Sequence, residues 1–167
     1  MRTRLALIAM AGTLISAAGA GAAHAQAADE IVRTYNSPTA RIAGTASVPP
    51  GARLVFVSGT TPAPLDPANP DDMGDTRQQT VSVLERIRAT LEAQGLGMGD
   101  IVKMTVFLVG VPENGGRMDS AAMNEVFSTY FGTAEQPNRP TRSTVQIAAL
   151  GRPRMFVEIE AIAAVVD

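Results

Sequence analysis

The sequence predicts an α+β domain: a mixed, antiparallel-rich sheet with two helices on one face. Three observations predict it. Several short runs are rich in β-branched and aromatic residues, two segments repeat apolar residues at helical spacing, and the order is strand, strand, helix, strand, helix, strand, strand.

The chain begins Met1-Arg2-Thr3-Arg4 and continues into an apolar run from Leu5 to about Ala18. Small residues then lead to Ala23-His24-Ala25, the A-x-A pattern of a signal-peptidase site. Residues 1–25 are therefore expected to be a cleaved leader, with cleavage after Ala25 or Ala27 and a periplasmic or secreted destination. Of 167 residues, 167 − 25 = 142 remain, enough for one core. Residues 26–33 read as a flexible lead-in and 34–167 as a single domain. With Arg2 and Arg4 removed, Lys+Arg falls from 14 to 12 against 16 Asp+Glu, a net charge of −4. That balance argues against nucleic acid as a partner, and no membrane attachment is expected after cleavage. The sole histidine, His24, leaves with the leader, and there is no cysteine. Chemistry then falls to carboxylates, Arg, Lys, Tyr, hydroxyls and water. Neither a metal nor an organic cofactor is expected.

RLVFVS (53–58) reads as a strand closed by Gly59, and Pro62, Pro64, Pro67 and Pro70 mark a loop. Asp75 with Gln78 forms a capping-box pattern ahead of Val81, Leu84, Ile87 and Leu91, with Gly95 at the far end. IVKMTVFLV (101–109) is a strand whose Val102, Met104, Val106 and Leu108 share one face and Lys103, Thr105 and Phe107 the other. A second helix starts near Asp119 or Ser120, with Met123, Val126, Phe127, Tyr130 and Phe131 as its stripe. Residues 142–149 and 155–165 are expected to pair as a final hairpin through Gly151 and Pro153.

Alternation puts Val145, Ile147, Ala149, Val157, Ile159 and Ala161 toward the helices. Arg142, Thr144, Gln146, Phe156, Glu158 and Glu160 then share the second face with Phe107. Such a mixed face suits a subunit interface holding a polar pocket, which predicts a homo-oligomer. In that pocket a guanidinium fork matches a carboxylate, and a glutamate can direct water. The plainer alternative is a cross-strand ion pair of Arg142 with Glu158 or Glu160.

LVFVSG (54–59), GDIVKMTVFL (99–108), MNEVFSTYF (123–131), RPTRSTVQIAAL (139–150) and VEIEAIA (157–163) together resemble the RidA/YjgF family of imine/enamine deaminases. The resemblance spans roughly residues 34–165. It implies a chorismate-mutase-like fold and a homotrimer with clefts between subunits. It also implies hydrolysis of 2-imino or 2-enamino acids to 2-keto acids and ammonia. By the same resemblance Arg142 grips the substrate carboxylate and Glu158 places the attacking water, while Asn124, Ser58 and Thr144 line the site. Thr144 stands where the family often has cysteine. Glu160 reads as a solvated or interface charge and Tyr130 as packing. The family's G-P-Y-S-Q segment is absent; without gaps, Gly44 occupies the tyrosine's place. That departure leaves room for a non-catalytic trimer binding small carboxylates or protein partners. A third reading is the endoribonuclease activity with which the family is sometimes labelled, which a domain of net charge −4 without histidine disfavours.

Overall fold

The computed structural model describes residues 30–166; the leader over 1–25 and the first half of the lead-in, 26–29, lie outside them. The elements are β1 (Val32–Thr34), β2 (Thr45–Ser47), β3 (Arg53–Thr60), α1 (Thr76–Glu92), β4 (Ile101–Val109), α2 (Ser120–Tyr130), β5 (Thr141–Ile147) and β6 (Val157–Val165). A four-stranded mixed sheet of order β3-β6-β4-β5 carries α1 and α2 on one face, as predicted. β1 and β2 form a separate antiparallel pair, one strand more than the sequence suggested.

α1 starts where its cap chemistry dictates. The Asp75 carboxylate accepts the Gln78 N–H at 2.8 Å, and the Gln78 side chain accepts the Asp75 N–H at 3.1 Å, which occupies two otherwise orphaned donors. Gly95 adopts φ +74° just past the helix, a conformation a residue with a Cβ disfavours. Val83, Leu84, Ile87 and Leu91 are buried against the sheet. Val81 is not part of that stripe: it is 40% exposed, because three residues before Leu84 the helix face has already turned outward. The Asp119 carboxylate caps α2 by accepting the Ala122 N–H at 3.0 Å.

Met104, Val106 and Leu108 of β4 are fully buried beneath Met123, Val126 and Phe127 of α2, the alternation the sequence predicted. The expected final hairpin is not formed. β6 runs antiparallel to both β3 and β4, whereas β5 pairs in parallel with β4 on its far side. β4, α2 and β5 make a strand–helix–strand crossover, which delivers a parallel partner. β3 also continues past Gly59 to Thr60, with a register irregularity between Val57 and Thr60. Phe156 precedes β6 and is buried in the core, not on the second face. Its N–H donates to the Oε1 of Gln79 at 2.6 Å. That fully buried amide also donates to the Gly74 and Arg154 carbonyls at 3.0 and 2.7 Å, so α1 fixes where β6 begins.

Candidate functional site

Register places the candidate residues on two faces. Met104 pairs with Arg142 and Val106 with Thr144, so Arg142, Thr144 and Gln146 point toward the helices. Phe107 pairs with Val145 on one side and with Glu158 on the other, and Thr105 pairs with Glu160. Val145 and Ile147 therefore face outward with the glutamates, and Val145 is 42% exposed. This inverts the face predicted for 142–149. The inversion has a physical cause: β5 is an edge strand, and the Phe127 ring offers a guanidinium a flat apolar surface there. Arg142 and Glu158 lie on opposite faces of one sheet, so the cross-strand ion pair is not made.

The Arg142 guanidinium lies over the Phe127 ring, 4.2 Å from its centroid. Its Nη2 donates to Asn124 Oδ1 at 2.6 Å and its Nη1 to Met123 Sδ at 3.6 Å. No carboxylate pairs with it among the described residues. Burial, and then the charge of Arg41, pull its pKa down to about 10. Beside it the Thr144 hydroxyl is sealed from solvent without a hydrogen-bond partner among the described residues. Asn124 opens onto a cavity of about 620 Å³ lined also by Arg41, Ser120, Ala121, Glu125 and Ser128. Glu125 is engaged by Arg77 of α1, and the Ser128 hydroxyl donates to the Asn124 carbonyl at 2.9 Å. These residues form an electropositive half-site with hydrogen-bonding neighbours, suited to a small carboxylate.

The other face holds Ser58, Glu158 and Glu160. Ser58 and Glu160 line a cavity of about 300 Å³ with Phe56, Lys103, Thr105 and Ile162. The Glu158 carboxylate rests on Gly59: a Cβ there would overlap its Oε1 and stand 3.0 Å from Cδ. Gly59 thus forms the seat of this side chain. Phe56 is 72% exposed on this face, and Leu54 is exposed beside it. Tyr130 serves packing. Its hydroxyl donates to Glu85 across the helix pair, and burial, followed by the bond to and charge of Glu85, pushes its pKa up to about 12.

Sequence reasoning missed Arg41, Gly59 as a seat, and Gln79. Gly59 was read only as a strand end. Gln79, a polar residue between two buried helix turns, carried a faint signal: a buried amide needs partners. Arg41 lies in the stretch that departs from the family pattern, and no motif of the sequence marks it. At Gly44 a Cβ would fall 2.7 Å from Asn36 Oδ1, so a side chain there requires the Asn36 amide to move aside.

Fold and site together define a small α+β protein with a mixed sheet, a half-buried arginine without an acidic partner among the described residues under one helix, and a carboxylate on the opposite sheet face. The endoribonuclease L-PSP family model matches residues 45–165, and the chain belongs to that family, the RidA/YjgF family of the sequence resemblance. A RutC family protein of Pyrococcus horikoshii is 35% identical over 135 residues, 80% of this chain and 96% of that one. The 2-iminobutanoate/2-iminopropanoate deaminase of Salmonella typhimurium is 35% identical over 132 residues, 79% of this chain and 94% of its own. The crystal structure of E. coli TdcF with bound serine superposes with a TM-score of 0.54 at 38% identity, covering 71% of this chain and 84% of that one.

Proposed function

We propose that the chain hydrolyses 2-imino and 2-enamino acids to 2-keto acids and ammonia, at a site built from two copies of itself within a homotrimer. The observation that carries this reading is the half-buried Arg142, stacked on Phe127, bonded to Asn124 and lacking an acidic partner among the described residues. The deaminase activity named for the Salmonella relative and the serine bound to TdcF support a small carboxylate-bearing substrate. The opposed faces of Arg142 and Glu158 support assembly, because one chain presents each half to a different neighbour.

Arg142 holds the substrate carboxylate, with Asn124 fixing the fork and Thr144 offering a hydroxyl close by. Glu158 of a second copy, with Ser58, faces the imine carbon. A water loses a proton to Glu158 as its oxygen bonds to C2, and the C=N electron pair moves to nitrogen. The proton passes from Glu158 to that nitrogen, Glu158 then takes the hydroxyl proton and delivers it to the same nitrogen, the C–N bond breaks, and the hydroxyl oxygen becomes the ketone as ammonia leaves. One water is consumed, one ammonia leaves, and nothing is oxidised or reduced.

The test is ammonia release from 2-iminobutanoate generated in situ. Arg142→Ala and Glu158→Gln should each be inactive, while co-assembled mixtures should recover up to about a quarter of wild-type activity, since random mixing leaves that share of interfaces with both halves intact. No acceleration by wild type would end the proposal, and unrestored mixtures would end its two-copy form. Gly44 in place of the family tyrosine favours a second reading, a carboxylate-binding trimer without turnover. Calorimetric binding of 2-oxobutanoate with no ammonia release would establish it. We further infer from the leader that the protein acts outside the cytosol; the amino terminus of the protein from a periplasmic fraction should begin at Gln26 or Ala28, and an uncleaved Met1 would refute export.

A further inference from the structure

Arg41 has no role in the reaction described above, yet the fold brings it to the same place. The Ala43 N–H donates to the Pro140 carbonyl at 3.0 Å, two residues before Arg142. Ala43 is buried, Ile42 packs on the core, and the Gly44 N–H donates to the Thr34 carbonyl at 2.8 Å. The loop is thus held at both ends, and Arg41 lines the 620 Å³ cavity onto which Asn124 opens. The one acid of that cavity, Glu125, is engaged by Arg77. Among the described residues no carboxylate pairs with Arg41 or with Arg142. Arg142 reaches that cavity through its bond to Asn124, and the charge of Arg41 acts on it, so an anion bound between the two guanidiniums relieves their repulsion. One monocarboxylate satisfies one fork; a second fork across a cavity this size calls for a second anionic group.

We infer that Arg41 is a specificity-determining residue, and that the site prefers 2-imino acids whose side chain ends in a second carboxylate. This rests on the proposed role of Arg142: the substrate C1 carboxylate sits on Arg142 and the distal carboxylate on Arg41, whose cavity Ser120 and Ser128 also line. A charge-assisted pair to the distal group should favour the diacid by about tenfold.

The experiment compares calorimetric affinities for 2-oxoglutarate and 2-oxobutanoate, and ammonia release from iminoglutarate and 2-iminobutanoate formed in situ by an amino-acid oxidase. Wild type should bind and turn over the five-carbon diacid about tenfold better. Arg41→Ala should bring the diacid-to-monoacid ratio to about one, Arg41→Glu should invert it, and Arg41→Lys should keep most of it. A ratio near one in wild type, or one unchanged in Arg41→Ala, overturns the inference. The two readings separate cleanly. Diacid preference in binding without turnover of either imine keeps the specificity and removes the deaminase, whereas turnover without preference does the reverse.

Discussion

Gly59→Ala is expected to cost activity without costing the fold. Gly59 is not among the glycines held at positive φ, so alanine can take its backbone conformation. In a strand, alanine should stabilise by about 0.5–1 kcal/mol over glycine. The obstacle is the Glu158 carboxylate: the new methyl would overlap Oε1 and press on Cδ at 3.0 Å and Cγ at 3.4 Å. These atoms end a flexible side chain, so the carboxylate swings away and the strand stays. A displacement of about 1 Å or more at a group that aims water should lower kcat roughly a hundredfold. Ammonia release reads that loss, thermal melting reads the retained fold, and keto-acid calorimetry reads the Arg142 half, expected within about twofold of wild type because on the proposed site the keto-acid carboxylate is held by Arg142 and not by Glu158. Wild-type turnover in Gly59→Ala would show that the seat of Glu158 does not matter, and the assignment of Glu158 to water would fall with it.

Other outcomes test the remaining links. Keto-acid affinity should be constant to about pH 9 and fall about tenfold per unit above pH 10, because burial and Arg41 have lowered the Arg142 pKa to about 10 and only its protonated form holds the anion; calorimetry showing a flat profile to about pH 11 would mean that the Arg142 guanidinium stays protonated there and that its pKa is not lowered. Phe56→Asp should convert the assembled protein to monomers in sedimentation velocity and abolish turnover, since Phe56 stands 72% exposed on the outward face; an unchanged assembly would place the interface elsewhere. Gln79→Leu strands the Gly74 and Arg154 carbonyls and the Phe156 N–H, and should lose about 3 kcal/mol in urea unfolding; a loss below about 1 kcal/mol would mean water replaces the amide.

Both caps, the two helices and the alternation of β4 were legible because each is written in neighbouring residues. The topology of β5 and β6 was not, although part of the signal was present. A strand, a helix and a strand in sequence make a crossover, and β5 then belongs parallel to β4. Gly151 and Pro153 instead suggested a tight turn, and turn residues cannot say whether the strands they connect are adjacent. The faces expected for the candidate site residues depended on the rule that apolar side chains point to the core. At an edge strand that rule weakens. Arg142 satisfies it in another way, with its guanidinium on an aromatic ring and its polar atoms bonded, so it sits under α2 while Val145 faces out.

That inversion changes what kind of site the chain can make. Even on a shared face Arg142 and Glu158 would stand two strands apart and out of register, because β4 lies between β5 and β6. Placed back to back, neither is satisfied by the other. The arginine keeps an open preference for an anion, and the glutamate stays free to handle water. On the proposed assembly the two meet only across an interface, so activity is tied to association. Specific activity should fall with dilution in step with dissociation of the oligomer, and a saturating keto acid should hold the oligomer together by mass action, since it binds only where two copies meet. Activity that persists in a preparation shown by sedimentation to be monomeric would contradict the division of the site.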